Sequence, residues 1–255
     1  MKPYFQQGAI AVYFGDCREV LPALDISSIG AVIADPPYGE TSLTWDRWQT
    51  DWPDAIAAGV PVSAPLWCFG SMRMFLDRAM QFSQWKIAQD LVWEKHNGSS
   101  SAADRFRRVH ENVLQWYRGE WDAVWKSPVV TMDATARQVR RKRRPAHWGE
   151  IGEHAYESKD GGPRLARSVL QVRSCHGNAV HPTQKPIGIV EPLLRYSVAP
   201  GRAALDPFAG SGTTLVVAKS LGMAAIGIEA DERWCEAIAG RLSQEIAFPS
   251  AEAST

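Results

Sequence analysis

The sequence predicts an α/β protein with a mostly parallel β-sheet. Short apolar runs alternate along the chain with stretches whose apolar residues recur every three or four positions. Such alternation is typical of parallel strands joined by helical crossovers. A further observation is residues 206–214, where a glycine-containing turn separates a short apolar run from an amphipathic stretch, as between a strand and a helix.

The composition is that of an ordinary globular enzyme. The chain has 255 residues, is 45% hydrophobic and 22% charged, and carries no formal net charge, so we expect one large domain or a domain with an insertion. No apolar run is long enough to span a membrane and no signal peptide is recognisable, which favours a cytoplasmic protein without a membrane partner. The four cysteines are scattered, so we expect neither a disulfide framework nor a metal site.

The first half of the chain contains five predicted strands, at residues 9–14, 30–34, 65–70, 86–94 and 111–117. A short helix is expected around 18–24, and residues 40–52 read as a loop that carries three tryptophans. Ser71 is a predicted N-cap. The helix after it would bury one face, formed by Met72, Phe75, Leu76, Ala79 and Met80.

Residues 118–176 interrupt the alternation and hold a strongly basic run. This segment has twelve Lys and Arg against seven Asp and Glu, a net charge of +5 in a neutral chain. A charge run is often only a solvated face. One sign concentrated in an insertion instead favours contact with a polyanion. The candidate residues for contact with a polyanion are Arg137, Arg140, Arg141, Lys142, Arg143 and Arg144.

The last third of the chain returns to the α/β pattern. A helix is predicted over 187–198, although Pro192 should kink it unless the boundary is wrong. Strands are predicted at 202–205 and 224–228, separated by a helix that stops at Gly222. Asp231 is expected to cap a last helix reaching about residue 247, before a frayed tail at 249–255.

The turn at 206–214 and the acid after the following strand suggest a nucleoside-cofactor site. Gly210 and Gly212 permit close approach and positive φ, and no lysine follows as a phosphate-binding P-loop requires. Glu229 stands about 20 residues past the turn, where a carboxylate accepts hydrogen bonds from ribose hydroxyls. The alternatives are that the turn at 206–214 has only a structural role and that Glu229 forms a structural salt bridge.

Asp35-Pro-Pro-Tyr38 follows a predicted central strand and offers the groups that hold an exocyclic amine. The Asp35 carboxylate and the Pro36 carbonyl can accept its hydrogens, and Tyr38 can stack on a base taken out of a helix. A proline turn with a solvated aspartate is the alternative. No Pro-Cys dipeptide provides a cysteine nucleophile, and Cys175, His176 and His181 lack the spacing of a zinc site.

Together these residues resemble the amino-group DNA methyltransferases that use S-adenosylmethionine. Asp35-Pro-Pro-Tyr38 matches their catalytic motif and residues 206–214 match their cofactor motif, in the order of the β group. His181-Pro-Thr-Gln-Lys-Pro186 is similar to the segment before that cofactor motif. Gly15-Asp16-Cys17 is similar to a third cofactor element, and residues 110–114 to a strand that lines the target-base pocket.

The resemblance implies a doubly wound, circularly permuted, seven-stranded Rossmann-like sheet. Residues 1–117 would form the catalytic half, 118–176 a target-recognition insertion and 177–255 the cofactor half. It assigns catalysis to Asp35, Pro36, Pro37 and Tyr38. It assigns S-adenosylmethionine binding to Asp16, Cys17, Asp35, Thr183, Lys185, Asp206, Phe208, Ala209, Gly210, Ser211, Gly212, Thr213 and Glu229.

The implied reaction is direct methyl transfer to a flipped base in double-stranded DNA, with no metal. Asp at the first motif position accompanies adenine N6 in this family more often than cytosine N4, so adenine is expected. Cytosine N4 methylation and a catalytically silent DNA-binding relative remain alternatives. The family also makes a homodimer and a cognate restriction endonuclease conceivable partners.

Overall fold

The computed structural model describes residues 1–95, 103–141, 154–175, 177 and 179–244. The chain divides into two compact units. The larger joins Met1–Ser127 to the part of the chain from Ser168 onward, and the smaller is Pro128–Arg167. No helix in the described ranges is long and apolar enough to cross a membrane.

A nine-stranded sheet forms the centre of the larger unit, counted over the described residues. Its strands are β1 (Phe5–Gln7), β2 (Ile10–Phe14), β3 (Ile29–Ala34), β4 (Leu66–Gly70), β5 (Lys86–Glu94), β6 (His110–Tyr117), β11 (Val169–Gln171), β12 (Ala203–Asp206) and β13 (Ala224–Glu229). The smaller unit holds β7 (Val130–Thr131), β8 (Arg137–Arg141), β9 (His154–Ser158) and β10 (Arg164–Leu165).

The spatial order is β1-β2-β13-β12-β3-β4-β6-β5-β11. Neighbouring strands from β2 to β4 pair in parallel, and β6 runs antiparallel between β4 and β5. The seven strands from β2 to β5 confirm the predicted mostly parallel sheet. The pairing of β2 with β13 confirms that the N-terminal strand follows the Glu229 strand in space. Strands β1 and β11 extend the sheet at its two edges.

Helices cover both faces of the sheet, as a doubly wound fold requires. They are α1 (Cys17–Val20), α2 (Trp52–Gly59), α3 (Met72–Asp77), α4 (Ile187–Ser197), α5 (Thr213–Ser220) and α6 (Glu232–Ser243). Helices α4 to α6 bury Ile189, Leu193, Leu215 and Ile238 against one face. Helices α1 to α3 bury Val20, Ile56, Met74 and Phe75 against the other.

Two expectations for the first half of the chain are wrong in detail. Ser71 caps α3 by accepting the Met74 N–H at 2.9 Å, as predicted. The helix then ends at Asp77, so the predicted apolar face does not continue, and Leu76 and Met80 are 71% and 84% exposed. The tryptophan segment was expected to be a loop throughout, but Trp52 begins α2 and is fully buried.

In the second half, α4 runs through Pro192 as one continuous helix. Asp231 caps α6, with its carboxylate accepting the Arg233 N–H at 3.0 Å. The helix ends at Ser243, four residues before the expected position. The predicted tail at 249–255 lies outside the described residues.

The smaller unit contains two separate strand pairs, β7 with β10 and β8 with β9, all antiparallel. It is shorter than the predicted insertion of 118–176, because β11 belongs to the large sheet, where it pairs with β5. Arg137, Arg140 and Arg141 lie on β8. The rest of the basic run, Lys142, Arg143 and Arg144, lies outside the described residues.

Candidate active site

Four acidic residues meet at the carboxyl ends of adjacent strands. Asp16 follows β2, Glu229 ends β13, Asp206 ends β12 and Asp35 follows β3. The chain winds outward in opposite directions from β12 and β3, so a crevice opens between them, where doubly wound sheets bind ligands. All four acids line one cavity of about 740 Å³.

The glycine-containing turn is held against the neighbouring strand by hydrogen bonds that its backbone N–H groups donate. Gly210 has a φ of 51°, which a residue with a side chain rarely adopts. Its N–H donates to a carboxylate oxygen of Glu229 at 2.7 Å, and the Ala209 N–H donates to the Ile228 carbonyl at 2.9 Å. Burial raises the pKa of Glu229, whereas the hydrogen bonds that its carboxylate accepts from backbone N–H groups act in the opposite direction.

Gly212 has a different position from the other residues of the turn. Its φ is 75°, and it starts α5 without lining the cavity. A Cβ placed on it would lie 2.9 Å from two side-chain carbons of Ile238 on α6. The structure therefore explains this glycine by helix packing, although sequence reasoning placed it among the cofactor-binding residues.

Asp16 lies at the far side of the cavity, where it caps α1. Its carboxylate accepts from the backbone N–H of Arg18 at 2.9 Å and from the Arg18 guanidinium at 2.6 Å. These Arg18 hydrogen bonds lower the pKa of Asp16 despite partial burial. Arg18 also donates to the side chain of Gln49 and the carbonyl of Thr50, and so ties this acid to the tryptophan segment.

The Asp35-Pro-Pro-Tyr38 segment carries a compact polar network. The Tyr38 hydroxyl donates to one Asp35 oxygen at 2.9 Å, and the Lys185 ammonium forms an ion pair with the other. Lys185 also lies 3.6 Å from a carboxylate oxygen of Glu111, whose second oxygen pairs with Lys95. Sequence reasoning placed Lys185 near the cofactor, whereas its ammonium contacts the candidate catalytic carboxylate.

The charges of this network oppose one another. Burial raises the pKa of Asp35, and Glu111 adds to the shift, while Lys185 acts against it. Burial disfavours the charged form of Lys185, but the carboxylates of Asp35 and Glu111 prevail and raise its pKa. Lys185 therefore carries its charge inside the protein, where it neutralises carboxylates that would otherwise repel each other.

Asp206 has a pKa well above the ordinary value of an aspartate. It is 6% exposed and accepts the Phe208 N–H at 3.0 Å. Burial raises its pKa to about 7, and the charges of Asp35 and Glu229 act in the same direction. A cation bound in the cavity would relieve this repulsion.

The segment between Tyr38 and α2 folds over the cavity. The buried carboxylate of Asp46 organises it by accepting the N–H groups of Gly39, Glu40 and Thr41 at 2.7 to 3.0 Å. Trp45 contacts the ring of His181, which in turn packs edge-on against Trp234 of α6 with centroids 4.4 Å apart. Burial lowers the pKa of His181 to about 4, so this ring is neutral near pH 7.

The structure brings nearly all of the predicted catalytic and cofactor-binding residues into this cavity. Those that line it are Asp16, Cys17, Asp35, Pro36, Pro37, Tyr38, Thr183, Lys185, Asp206, Phe208, Ala209, Gly210, Ser211, Thr213 and Glu229. Gly212 does not line the cavity. Of the three residues that the sequence analysis dismissed as a zinc site, His176 lies outside the described residues.

Sequence reasoning missed several residues that line the cavity. Glu111 lies on β6, Lys95 directly follows β5 and Arg108 precedes β6. Trp45 and His181 come from other connecting segments. The motif matches to residues 110–114 and 181–186 included Glu111 and His181 but gave neither of them a role. Their contacts join positions far apart in sequence, which periodicity does not reveal.

The cavity suits a nucleoside cofactor with a positively charged group. Carboxylates at the ends of β13 and β12 provide acceptors for hydroxyl groups and compensation for a cation, and the Gly210 turn leaves room for close approach. Phe208 lines the same space and is held by an edge-on contact with Trp52, centroids 5.2 Å apart. This donor set fits S-adenosylmethionine, whose sulfonium and ammonium groups are cationic.

Fold and site together define an S-adenosylmethionine-dependent methyltransferase with a doubly wound, permuted sheet. Residues 29–240 match the family model described as DNA methylase, which covers N6 and N4 methyltransferases. The chain therefore belongs to this DNA methylase family, and its methyl donor is S-adenosylmethionine.

Two similar proteins are named as type II methyltransferases. The chain is 25% identical over 271 residues to the type II methyltransferase M2.DpnII of Streptococcus pneumoniae, covering 96% of this chain and 93% of that protein. It is 25% identical over 258 residues to the type II methyltransferase M.HinfI of Haemophilus influenzae, covering 90% and 67%.

Solved structures share the fold at lower identity. The M1.HpyAVI complex with S-adenosylmethionine is 22% identical with a TM-score of 0.62, covering 92% of this chain and all of that one. The cytosine-N4-specific PvuII DNA methyltransferase is 16% identical with a TM-score of 0.66, covering 97% and 91%. The cytosine-N4-specific enzyme shares the fold as closely as the M1.HpyAVI complex does. The fold therefore does not tell whether the methylated amine is adenine N6 or cytosine N4.

We expect the affinity for S-adenosylmethionine to depend on pH, because the pKa of Asp206 is raised. Below its pKa of about 7, Asp206 is protonated in the free protein, and a cationic cofactor favours the carboxylate form. Affinity for S-adenosylmethionine should therefore fall with decreasing pH, by up to about tenfold per pH unit below 7. Titration calorimetry at pH 5.5 and 7.0 measures this, and Asp206→Asn should remove the dependence. Equal affinities of the unaltered protein at both pH values would rule out the linkage.

Proposed function

We propose that this chain methylates the N6 amine of adenine in duplex DNA, at a specific site and after base flipping. The observation that carries the proposal is Asp35, which stands at the cavity with one oxygen on Tyr38 and the other on Lys185. An acidic side chain there can accept a hydrogen from an exocyclic amine. In the family that the chain resembles, an aspartate at this motif position accompanies adenine N6 more often than cytosine N4, which favours adenine.

The residues of the chain act mainly by positioning and electrostatics. Bound S-adenosylmethionine supplies a methyl group that its positively charged sulfonium activates. Asp35 and the Pro36 carbonyl accept the hydrogens of the amine, so its lone pair is directed towards the cofactor side of the cavity. The carboxylate also stabilises positive charge that develops on the nitrogen. Tyr38 offers its ring as a stacking surface for the flipped base.

Asp16 and Glu229 are the proposed partners of the nucleoside part of the cofactor. Glu229 is oriented by two backbone N–H groups, from Gly210 at 2.7 Å and Asp231 at 2.9 Å, and each oxygen keeps a free lone pair for a ribose hydroxyl. Thr183 and Ser211 line the remaining part of the cavity. These assignments rest on placement in the cavity and on the motif match.

Transfer of labelled methyl groups tests the activity. The purified protein with tritiated S-adenosylmethionine should label unmethylated duplex DNA, and the label should survive protein removal. No label on any unmethylated duplex would support the alternative of a silent DNA-binding relative. The names of the two type II relatives favour a restriction-modification role, and a cognate endonuclease gene beside this one would support it.

The basic run is the proposed contact with the DNA backbone. Arg137 and Gln138 are exposed on β8, and the run continues to residue 144. Replacing Arg140, Arg141, Arg143 and Arg144 with glutamine should weaken DNA binding. It should also reduce the slope of log affinity against log salt by up to about 3 to 4, since each phosphate contact contributes roughly 0.9. Fluorescence anisotropy across salt concentrations measures both.

A variant that removes one positive charge outside the basic run is the control for a general effect of charge on DNA binding. Arg202 lies before β12, at the amino end of the strand, and donates to the Ser27 carbonyl at 3.3 Å. Arg202→Gln should leave the slope unchanged. An unchanged slope in the fourfold variant as well would mean that the basic run is only a solvated face.

A further inference from the structure

We propose that Glu111 is a positioning residue, which receives Lys185 from Asp35 when the target amine enters the site. This inference rests on the proposed role of Asp35 as the acceptor for that amine. It gives a function to a half-buried carboxylate that lies outside the catalytic motif and the cofactor motif.

Glu111 lies on β6, next to Trp93 of β5, and faces the same cavity as Asp35. One of its oxygens pairs with Lys95. The other is buried and has no hydrogen-bond partner among the described residues. Buried acceptors are normally satisfied, so an unpaired one in a polar site calls for a partner that arrives in another state.

Lys185 is the group that can supply this partner. Its ammonium has three N–H donors and contacts Asp35, while the open Glu111 oxygen lies 3.6 Å away, just outside hydrogen-bond range. The rings of Phe69 and Tyr38 lie 5.2 and 5.9 Å from the ammonium and confine it to this space. A small movement therefore brings Lys185 from one carboxylate to the other.

The amine and Lys185 compete for the same carboxylate. While Lys185 holds one Asp35 oxygen and Tyr38 the other, each oxygen already accepts one donor, and the paired ammonium weakens the carboxylate as an acceptor for the amine. An amine that displaces Lys185 would leave a buried cation without a partner, which is costly. The open oxygen of Glu111 removes that cost, so Asp35 can turn to the amine while Lys185 stays charged and paired.

The charge balance permits the exchange without a proton transfer. Asp35 and Glu111 carry two negative charges, and Lys185 and Lys95 carry two positive ones. Arg108 also acts on Glu111. Asp206 faces Asp35 from the neighbouring strand β12, and the Tyr38 hydroxyl contacts Asp35 from the same segment. None of these other groups is within reach of the open Glu111 oxygen as a hydrogen-bond donor in the part of the chain that is described.

Glu111→Gln is the first test. With the charge of residue 111 removed, Lys185 stays on Asp35, so kcat should fall by about tenfold or more, with the KM for S-adenosylmethionine unchanged. Glu111 also raises the pKa of Asp35, so its loss should move the acid limb of the pH–rate profile to lower pH. Lys185→Met removes the cation that lowers this pKa, and should move the limb to higher pH.

A double variant tests whether Glu111 acts through Lys185. In the Lys185→Met background, Glu111→Gln should cost at most about twofold, because the group it would receive is absent. Glu94→Gln is the matched control, since Glu94 lies on β5 and bonds Gln171 outside the cavity. It should leave both kcat and the acid limb unchanged.

A carboxyl carbon-13 NMR titration of Asp35, assigned with Asp35→Asn, provides a readout that does not need activity. The midpoint should fall in Glu111→Gln and rise in Lys185→Met. An unmoved midpoint, or an equal cost of Glu111→Gln with and without Lys185, would overturn the inference and leave the proposed function intact. If the unaltered protein labels no DNA amine while the midpoints shift as expected, the proposed function fails and the Lys185 linkage between the carboxylates stands.

Discussion

Asp35→Ala is expected to reduce methyl transfer to DNA by at least about a hundredfold to a thousandfold, the range found when one stabilising group is lost from a catalytic site. The reason is that Asp35 is the half-buried acceptor that follows β3, and alanine leaves only the Pro36 carbonyl to hold the amine. Cofactor affinity should change little, because the turn at 206–214 and Glu229 are untouched. Single-turnover rates and titration calorimetry measure the two quantities.

The matched comparison is Asp35→Asn, which keeps a hydrogen-bond acceptor of the same shape and removes the charge. Its rate should lie between those of Asp35→Ala and the unaltered protein, because a neutral acceptor still orients the amine but stabilises developing positive charge less well. Near-normal turnover of Asp35→Ala would refute the proposed mechanism.

Gly212→Ala is expected to lower the free energy of unfolding by about 2 to 5 kcal/mol. Two effects contribute: a left-handed conformation costs a residue with a Cβ about 1 to 2 kcal/mol, and overpacking costs about 1 to 3 kcal/mol. The overpacking arises because the new methyl group would lie 2.9 Å from Ile238. Urea unfolding followed by circular dichroism measures the change.

Gly222→Ala separates the two effects. Gly222 has a φ of 68°, close to that of Gly212, but no atom lies within 4 Å of a Cβ placed there. This variant should therefore lose only the conformational part, about 1 to 2 kcal/mol. Equal losses in the two variants would contradict the packing role of Gly212.

The sequence predicted the sheet well because its strands are short apolar runs that end at recognisable residues. Asp35, Asp206 and Glu229 each follow or end such a run, so their meeting at one edge followed from the parallel order. The edge strand β11 was missed because three residues in a polar segment carry too little periodicity. The exposed Met80 shows the opposite error, because apolar residues continue at helical spacing beyond the end of α3 at Asp77.

The interior of the site was harder to predict, since it depends on contacts between distant segments. Lys185 and Asp35 are 150 residues apart, and Glu111 joins them from a third segment. Sequence motifs placed Lys185 near the cofactor but could not give the partner of its ammonium. Gly212 was assigned to the ligand for its place in a motif, although its neighbour Ile238 comes from a different helix.

The identity of the methylated nucleoside tests the central claim most directly. Unmethylated duplex DNA is incubated with the protein and S-adenosylmethionine, digested to nucleosides and separated by liquid chromatography with mass detection. The account predicts N6-methyladenine as the product, absent when Asp35→Ala is used. N4-methylcytosine in its place, from the same digest, would contradict the assignment of adenine.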